Sequence, residues 1–182
     1  MIKSNRIQIT SRALKWVFII LLILNPIVLI IGWLQFPKPL FGASPISIAI
    51  MPDVAILNPV PIGNLLLGIL LSMIPMICTM LVCYFLIKLF QAYESGSFFN
   101  NNGTTCFKRV AQFLFFRELI NPFYQAAISA TLTWHNPPGH RIAVASIGSD
   151  NLYSILIAAI VLLISWIMAE AYSIHQEQKY TI

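Results

Sequence analysis

Charged side chains inside apolar segments are the residues of this sequence that could do chemistry. Arg117 and Glu118 stand side by side within "LFFRELINPFY" (114–124), and Lys88 and Glu170 lie near the ends of two other apolar segments. An ionisable residue inside a membrane helix costs about 3 kcal/mol or more unless it is paired, and it often marks a transport or proton pathway. We therefore treat these four residues as a candidate intramembrane charge cluster, either structural or functional.

Helix geometry predicts how the four charges pair. Arg117 and Glu118 are about 100° apart around a helix, so they face different neighbours. Because side chains lean towards the N-terminus of their own helix, residues of antiparallel neighbours converge. We expect Arg117 to pair with Glu170. We expect Glu118 to pair with Lys88, and a packing role is then favoured over proton transport. Separate extension of each side chain to the membrane interface is the alternative.

Two Asn-Pro pairs, Asn25-Pro26 and Asn121-Pro122, also lie inside apolar segments. Proline within a helix frees a backbone carbonyl and bends the helix. The asparagine beside it can hydrogen-bond to that break or to a neighbouring helix. We predict a structural kink at each pair, with a ligand-lined kink as the alternative.

The sequence carries no motif for a catalytic or metal centre. It has no Ser/His/Asp set, no H-E-x-x-H and no phosphate-binding loop, so we expect a protein that is not an enzyme, without catalytic residues or cofactor. His135 and His140 lack acidic or Cys partners at ligand spacing, which favours turn histidines over a metal site. Cys78, Cys83 and Cys106 are expected to be small buried hydrophobes rather than a redox pair.

The composition requires a membrane to position these residues. Of 182 residues, 58% are hydrophobic and 9% are charged, whereas soluble domains carry about a quarter charged residues. Four apolar segments reach the ~20 residues that cross a bilayer as a helix. The predicted spans are 13–34, 65–89, 110–133 and 152–172, with outer loops 35–64 and 134–151, a connection 90–109 and a tail 173–182. The first span is too long for the apolar part of a signal peptide, so we expect it to be retained.

The lysines and arginines predict the orientation of the chain. Nine of the eleven fall on one side of the predicted membrane: Lys3, Arg6, Arg12, Lys15, Lys88, Lys108, Arg109, Arg117 and Lys179. Since basic residues concentrate on the cytoplasmic side, both termini are expected there. The basic residues flank apolar segments rather than forming a stripe, so direct nucleic-acid binding is not expected and the lipid bilayer is the first partner.

The two outer loops contain short strand-like segments. In the first loop these are "ISIAIM" (46–51) and "VAIL" (54–57), and in the second "RIAVASIG" (141–148). An isolated hairpin is only marginally stable, so strands of both loops would have to combine. The predicted fold is therefore an all-α membrane protein with four transmembrane helices and a small extracytoplasmic β element.

The cytoplasmic connection offers a candidate docking surface for a partner. Phe98 and Phe99 stand in the pattern "ESGSFFNNNGTTCFKRVAQFLF", and Lys108 and Arg109 follow where they would meet the anionic inner leaflet. This pattern, with the ending "MAEAYSIHQEQKYTI", resembles the bacterial membrane family called domain of unknown function 2975. The resemblance covers essentially the whole chain.

The resemblance implies a four-span protein of the bacterial inner membrane, without catalytic residues to carry over. Many members are encoded beside a small helix-turn-helix regulator of the Xre type, which implies a sensor or regulatory role with such a partner. The alternative is a small transporter or efflux protein, working as a homodimer, that uses an intramembrane carboxylate such as Glu118 or Glu170.

Overall fold

The described part of the chain folds into four long helices. The computed structural model describes residues 2–34, 56–57, 59–95, 101–145 and 149–180. The helices are α1 (Ile2–Leu34), α2 (Ile62–Glu94), α3 (Asn101–Thr133) and α4 (Ser149–Tyr180). Each contains one predicted span and extends beyond it. Phe98 and Phe99 lie outside the described residues.

The helices run up and down in sequence order. α1 packs on α2, α2 on α3 and α3 on α4, and among the described helices the extensive contacts join neighbours in sequence. Arg12, near the start of α1, contacts Glu94 at the end of α2, so these two helices are antiparallel. Asn64, near the start of α2, donates to the carbonyl of Thr131 near the end of α3. α3 therefore lies antiparallel to α2 along its length.

Three of the helices are long and apolar enough to cross a membrane. They comprise Ile7–Leu34, Ile62–Glu94 and Asn151–Ile174. α3 is as long as α2 but carries charged and amide side chains in its middle, and it does not meet the same criterion of hydropathy. Several polar residues of α3 face the protein instead: Glu118, Ser129 and Thr133 are buried. The other three helices, α1, α2 and α4, are more apolar than α3.

The predicted β element does not form in the residues that the structure describes. Residues 141–145 contain no strand, and 46–51 and 54–55 lie outside the described residues. Segment 141–145 instead follows the end of α3. The Thr133 hydroxyl accepts the Ile142 N–H at 3.1 Å and lies within donating distance of the Ile142 and Ser129 carbonyls, and the Val144 N–H donates to Ser129 Oγ at 2.8 Å. Side-chain hydroxyls thus satisfy the backbone groups that a strand partner would have bonded.

Asn136 fastens the turn that follows α3. It is 2% exposed, and its Oδ1 accepts the N–H of Leu57 at 3.1 Å. Its Nδ2 donates to the His140 carbonyl at 3.0 Å, while its own carbonyl accepts Arg141 Nε at 3.1 Å. One buried amide therefore joins the segment before α2 to the turn after α3, which fixes this end of both helices.

An aromatic side chain closes the bundle near the same end. The Trp33 indole is buried with Ile128 and Leu132 of α3, so it joins α1 to α3. It lies directly over Gly68 of α2, where a Cβ would overlap the ring. Glycine is required here because only its missing side chain leaves room for the indole.

A polar cavity between three helices

A cavity of about 280 Å³ lies where α1, α2 and α3 meet. All three helices carry a proline near its level, namely Pro26, Pro75 and Pro122. The lining residues come from each helix in turn: Asn25, Val28 and Leu29 from α1, Ser72, Pro75, Met76 and Thr79 from α2, and Arg117, Asn121 and Tyr124 from α3. Both predicted Asn-Pro pairs thus contribute their asparagine to one cavity, which joins two features that the sequence left separate.

Arg117 brings a positive charge to this cavity. Sixteen residues of α3 precede it and sixteen follow it, so it lies about 24 Å from either end of the helix. Arg117 is therefore at the middle of α3, although it lies near the start of the predicted span, because α3 begins nine residues before that span. The nearest carboxylate oxygen belongs to Glu118, 3.9 Å from Arg117 Nε, which is too long for a hydrogen bond. Within the described part of the chain, the guanidinium has no other acid partner.

Glu118 lies beside the cavity but does not line it. Its residue is 9% exposed, so the carboxylate is largely withdrawn from the surface. Pro122 follows four residues later and has no N–H, so the Glu118 backbone carbonyl lacks its helical donor. The break in the helical ladder and the buried acid therefore occupy the same turn of α3, next to Arg117.

A chain of hydroxyl groups forms the wall of the cavity towards Trp33. Ser72 Oγ lies 2.9 Å from the Gly68 carbonyl, to which it can donate. Trp33 Nε1 donates to Ser72 Oγ at 3.3 Å, and the Tyr124 hydroxyl shares a hydrogen bond with the same oxygen at 3.1 Å, in which either hydroxyl can donate. Ser72 therefore joins α1, α2 and α3 through hydrogen bonds of its single hydroxyl group.

The amide of Asn121 links the cavity to the fourth helix. Its Nδ2 donates to Oδ1 of Asn151 in α4 at 3.2 Å. One N–H of the Asn121 amide is used in this bond, and an amide nitrogen carries two. A ligand that bonds Asn121 would therefore also act on the contact between α3 and α4.

The predicted interhelical ion pairs are not formed between the described residues. Arg117 approaches Glu118, its neighbour in sequence, rather than Glu170. Lys88 Nζ lies 4.8 Å from the centroid of the Tyr84 ring, a cation–π contact within its own helix, rather than beside Glu118. Glu170 is exposed on α4. The structure brings Arg117 and Glu118 together and leaves the other two charges at separate places.

An interhelical ion cluster that the sequence did not identify lies at the opposite end from Asn136. Glu94 Oε1 accepts Arg12 Nε at 2.7 Å, and Glu94 Oε2 accepts Lys15 Nζ at 2.5 Å. Phe18 and Phe90 stack beside it with centroids 5.7 Å apart. The sequence contained a pattern that could have indicated this cluster. Arg12 and Lys15 share a helix face, and Glu94 is an acid at the end of the next apolar segment that lies on the same side of the membrane in the predicted topology.

The remaining predicted site residues lie outside the cavity. Lys108 and Arg109 are exposed on the first turns of α3. His135 Nδ1 is 3.3 Å from Asn64 Nδ2, and the His140 N–H donates to the Pro137 carbonyl in a turn. Among the described residues, no three His, Cys, Asp or Glu side chains lie close enough together to hold a metal ion.

A family model described as "Protein of unknown function (DUF2975)" matches residues 12–182, which is nearly the whole chain. No curated protein and no solved structure matches significantly.

Proposed function

The chain belongs to the DUF2975 family of proteins of unknown function, and we propose that it is a non-enzymatic sensor of the bacterial inner membrane. The observation that carries this proposal is the cavity around Arg117. An arginine in the middle of an apolar bundle is costly, and such residues ordinarily serve a function. A polar cavity lined from three helices, with no nucleophile–base pair among its lining residues, suits ligand recognition rather than catalysis.

The proposed topology has four crossings, with both termini in the cytoplasm. α3 is less apolar than its neighbours, but it lies antiparallel along the length of α2. A bilayer that surrounds α2 must therefore also contain the middle of α3. The polar side chains of α3 are tolerated because several of them face α2, α1 and the cavity. The distribution of lysine and arginine sets the direction.

The proposed partner is a cytoplasmic helix-turn-helix regulator of the Xre type, as the family resemblance implies. Residues 91–109 and the tail 173–182 would form the docking face, with Phe98, Phe99, Lys108 and Arg109 as its contacts. The exposed Lys108 and Arg109 support this assignment. A ligand in the cavity would act on the relative positions of α1, α2 and α3, and α2 and α3 lead directly into the docking face.

Fractionation of the regulator tests the sensor role. A tagged regulator is followed in cells that contain the wild-type protein, no protein, Arg117→Gln or the control Arg141→Gln. We expect membrane association only when the protein is present, and altered transcription of the regulator's targets in Arg117→Gln but not in Arg141→Gln. A regulator that stays soluble and equally active in all four strains contradicts the proposal.

A second proposed function, a small dimeric transporter, is favoured by one observation. Glu118 is a buried carboxylate beside a polar cavity, as a proton-coupled carrier requires. In reconstituted vesicles, Glu118→Gln is then expected to abolish proton-coupled flux while the protein still folds. Flux that is unchanged by this substitution across the tested substrates rules out the carboxylate mechanism.

A further inference from the structure

We infer that the cavity binds an anion, specifically a carboxylate or phosphate group, which the Arg117 guanidinium holds. This deepens the proposed function by naming the chemical class of the signal, and it rests on that proposal only for its physiological meaning. The inference itself comes from the charges and hydrogen-bond donors that line the cavity.

The polar lining is cationic or neutral. Besides Arg117, the polar groups that reach the cavity are two amides, two aliphatic hydroxyls and one phenol: Asn25, Asn121, Ser72, Thr79 and Tyr124. None of the lining residues is an acid. Glu118, the nearest carboxylate, stays 3.9 Å from Arg117 Nε and makes no hydrogen bond to it. The five N–H donors of a guanidinium suit the paired oxygens of a carboxylate or phosphate.

The hydroxyl groups already have acceptors within the protein. Ser72 Oγ donates to Gly68, and Thr79 Oγ1 donates to the Pro75 carbonyl at 3.0 Å. Arg117 is therefore the principal donor for a ligand, with the asparagine amides beside it. Glu118 lies close enough to balance the guanidinium charge in part but makes no hydrogen bond to it, and the Arg117 side chain is 43% exposed, so its N–H groups are open to the paired oxygens of an anion.

The size and walls of the cavity limit the ligand further. A volume of about 280 Å³ equals roughly nine times the ~30 Å³ that a water molecule occupies in the liquid. The non-polar wall consists of Val28, Leu29, Pro75 and Met76. This space accepts a charged head group with a few carbon atoms.

The packing of the helices points to entry from the lipid. Among the described helices, α1 and α3 both pack extensively on α2, and direct α1–α3 contacts include those of Trp33 with Ile128 and Leu132, near one end. On the side of these contacts away from the end of α1, at the level of Asn25 and Asn121, the cavity lies between two helices that share no extensive contact among their described residues. An amphiphile could insert its head group there while its chain stays in the bilayer. A small water-soluble anion is the other source of the same chemistry.

Ligand-induced thermal stabilisation of the purified full chain in nanodiscs tests the inference. The probes are oleate, the isosteric neutral oleamide, acetate and inorganic phosphate, and a ligand that binds the folded state raises Tm with its concentration. We expect oleate to raise Tm and oleamide to do so at least about tenfold more weakly. Arg117→Gln should weaken the oleate effect by about ten- to a hundredfold, as loss of a charge-assisted pair implies. The control Arg141→Gln removes one exposed positive charge and should keep the wild-type response.

Each outcome decides the inference. Saturable binding of acetate or phosphate that depends on Arg117 supports the anion site with an aqueous source, while binding of oleate alone supports a lipid source. If the wild-type protein binds oleamide as tightly as oleate, the inference is wrong, and this arm needs no variant. Arg117→Lys, which keeps the charge, should retain part of the affinity. Anion binding without any response of the regulator would overturn the sensor role but leave the site.

Discussion

Replacing Gly68 with alanine is expected to destabilise the protein, although alanine is the better helix former. A Cβ on Gly68 would overlap Cη2 of Trp33 and lie 3.0 Å from Cζ2 and Cζ3. The indole is a rigid ring, buried against Ile128 and Leu132, so it cannot turn aside freely. Moving it would also separate Trp33 Nε1 from Ser72 Oγ, which forms part of the cavity wall.

The magnitude follows from three contributions. Overpacking of a well-packed site costs about 1–3 kcal/mol. Loss of the hydrogen bond from Trp33 to Ser72 costs about 1 kcal/mol, and the higher helix propensity of alanine offsets about 1 kcal/mol. We therefore expect Gly68→Ala to lower the free energy of unfolding by about 1–3 kcal/mol, which corresponds to a decrease in Tm on the order of 5 °C.

Gly63→Ala is the matched control on the same helix. No atom lies within 4 Å of the position that its Cβ would take, so only helix propensity changes and stability should stay the same or rise slightly. Thermal unfolding in detergent can be followed with a thiol-reactive dye, because Cys78 and Cys83 are buried in the folded protein. Trp33→Phe, with its smaller ring, should partly rescue Gly68→Ala. Equal stability of the two alanine variants would refute the packing of Trp33 on Gly68.

Three further predictions concern the ends of the helices. Glu94→Gln should lower Tm in low salt but little in high salt, because it removes two ion pairs that salt screens, whereas Glu170→Gln should have no effect. Asn136→Ala should lower the free energy of unfolding by about 2 kcal/mol through two lost hydrogen bonds, and Asn136→Asp by about half as much, measured by denaturant titration. Burial raises the pKa of the Cys106 thiol. In a variant that retains only this cysteine, alkylation at neutral pH should therefore be slower than for an exposed thiol, and its rate should rise at higher pH. An alkylation rate with the same pH dependence as that of an exposed thiol would contradict this.

The positions of the helices were predictable because apolar length is a property of consecutive residues. All four predicted spans lie within helices, and the family resemblance was confirmed. The helices exceed the predicted spans because a helix continues wherever its backbone hydrogen bonds are satisfied, whatever surrounds it, as in the first turns of α3. The β element was wrong for residues 141–145 because Ser129 and Thr133 bond that backbone instead.

The site was harder to predict because it depends on how separate helices face one another. Both Asn-Pro pairs stood out in the sequence, but their convergence on one cavity depends on the relative rotation of α1 and α3. The interhelical pairs expected for Arg117 and Lys88 do not form between the described residues, because they also depend on how the helices are rotated. Lys88 instead contacts the ring of Tyr84, one turn away on its own helix. The ion pairs of Glu94 were not predicted, because its partners lie some eighty residues earlier in the chain.

The chemical reactivity of a cysteine in the cavity tests the central claim most directly. In a background without Cys78, Cys83 and Cys106, Met76→Cys places a thiol on the cavity wall, and Ile77→Cys places one on the exposed face at the same level. The account predicts that an anionic methanethiosulfonate modifies Met76→Cys faster than a cationic one, that Arg117→Gln removes this preference, and that Ile77→Cys shows none. Equal rates for both reagents at Met76→Cys, or a preference that survives Arg117→Gln, would contradict a cavity whose charge comes from Arg117.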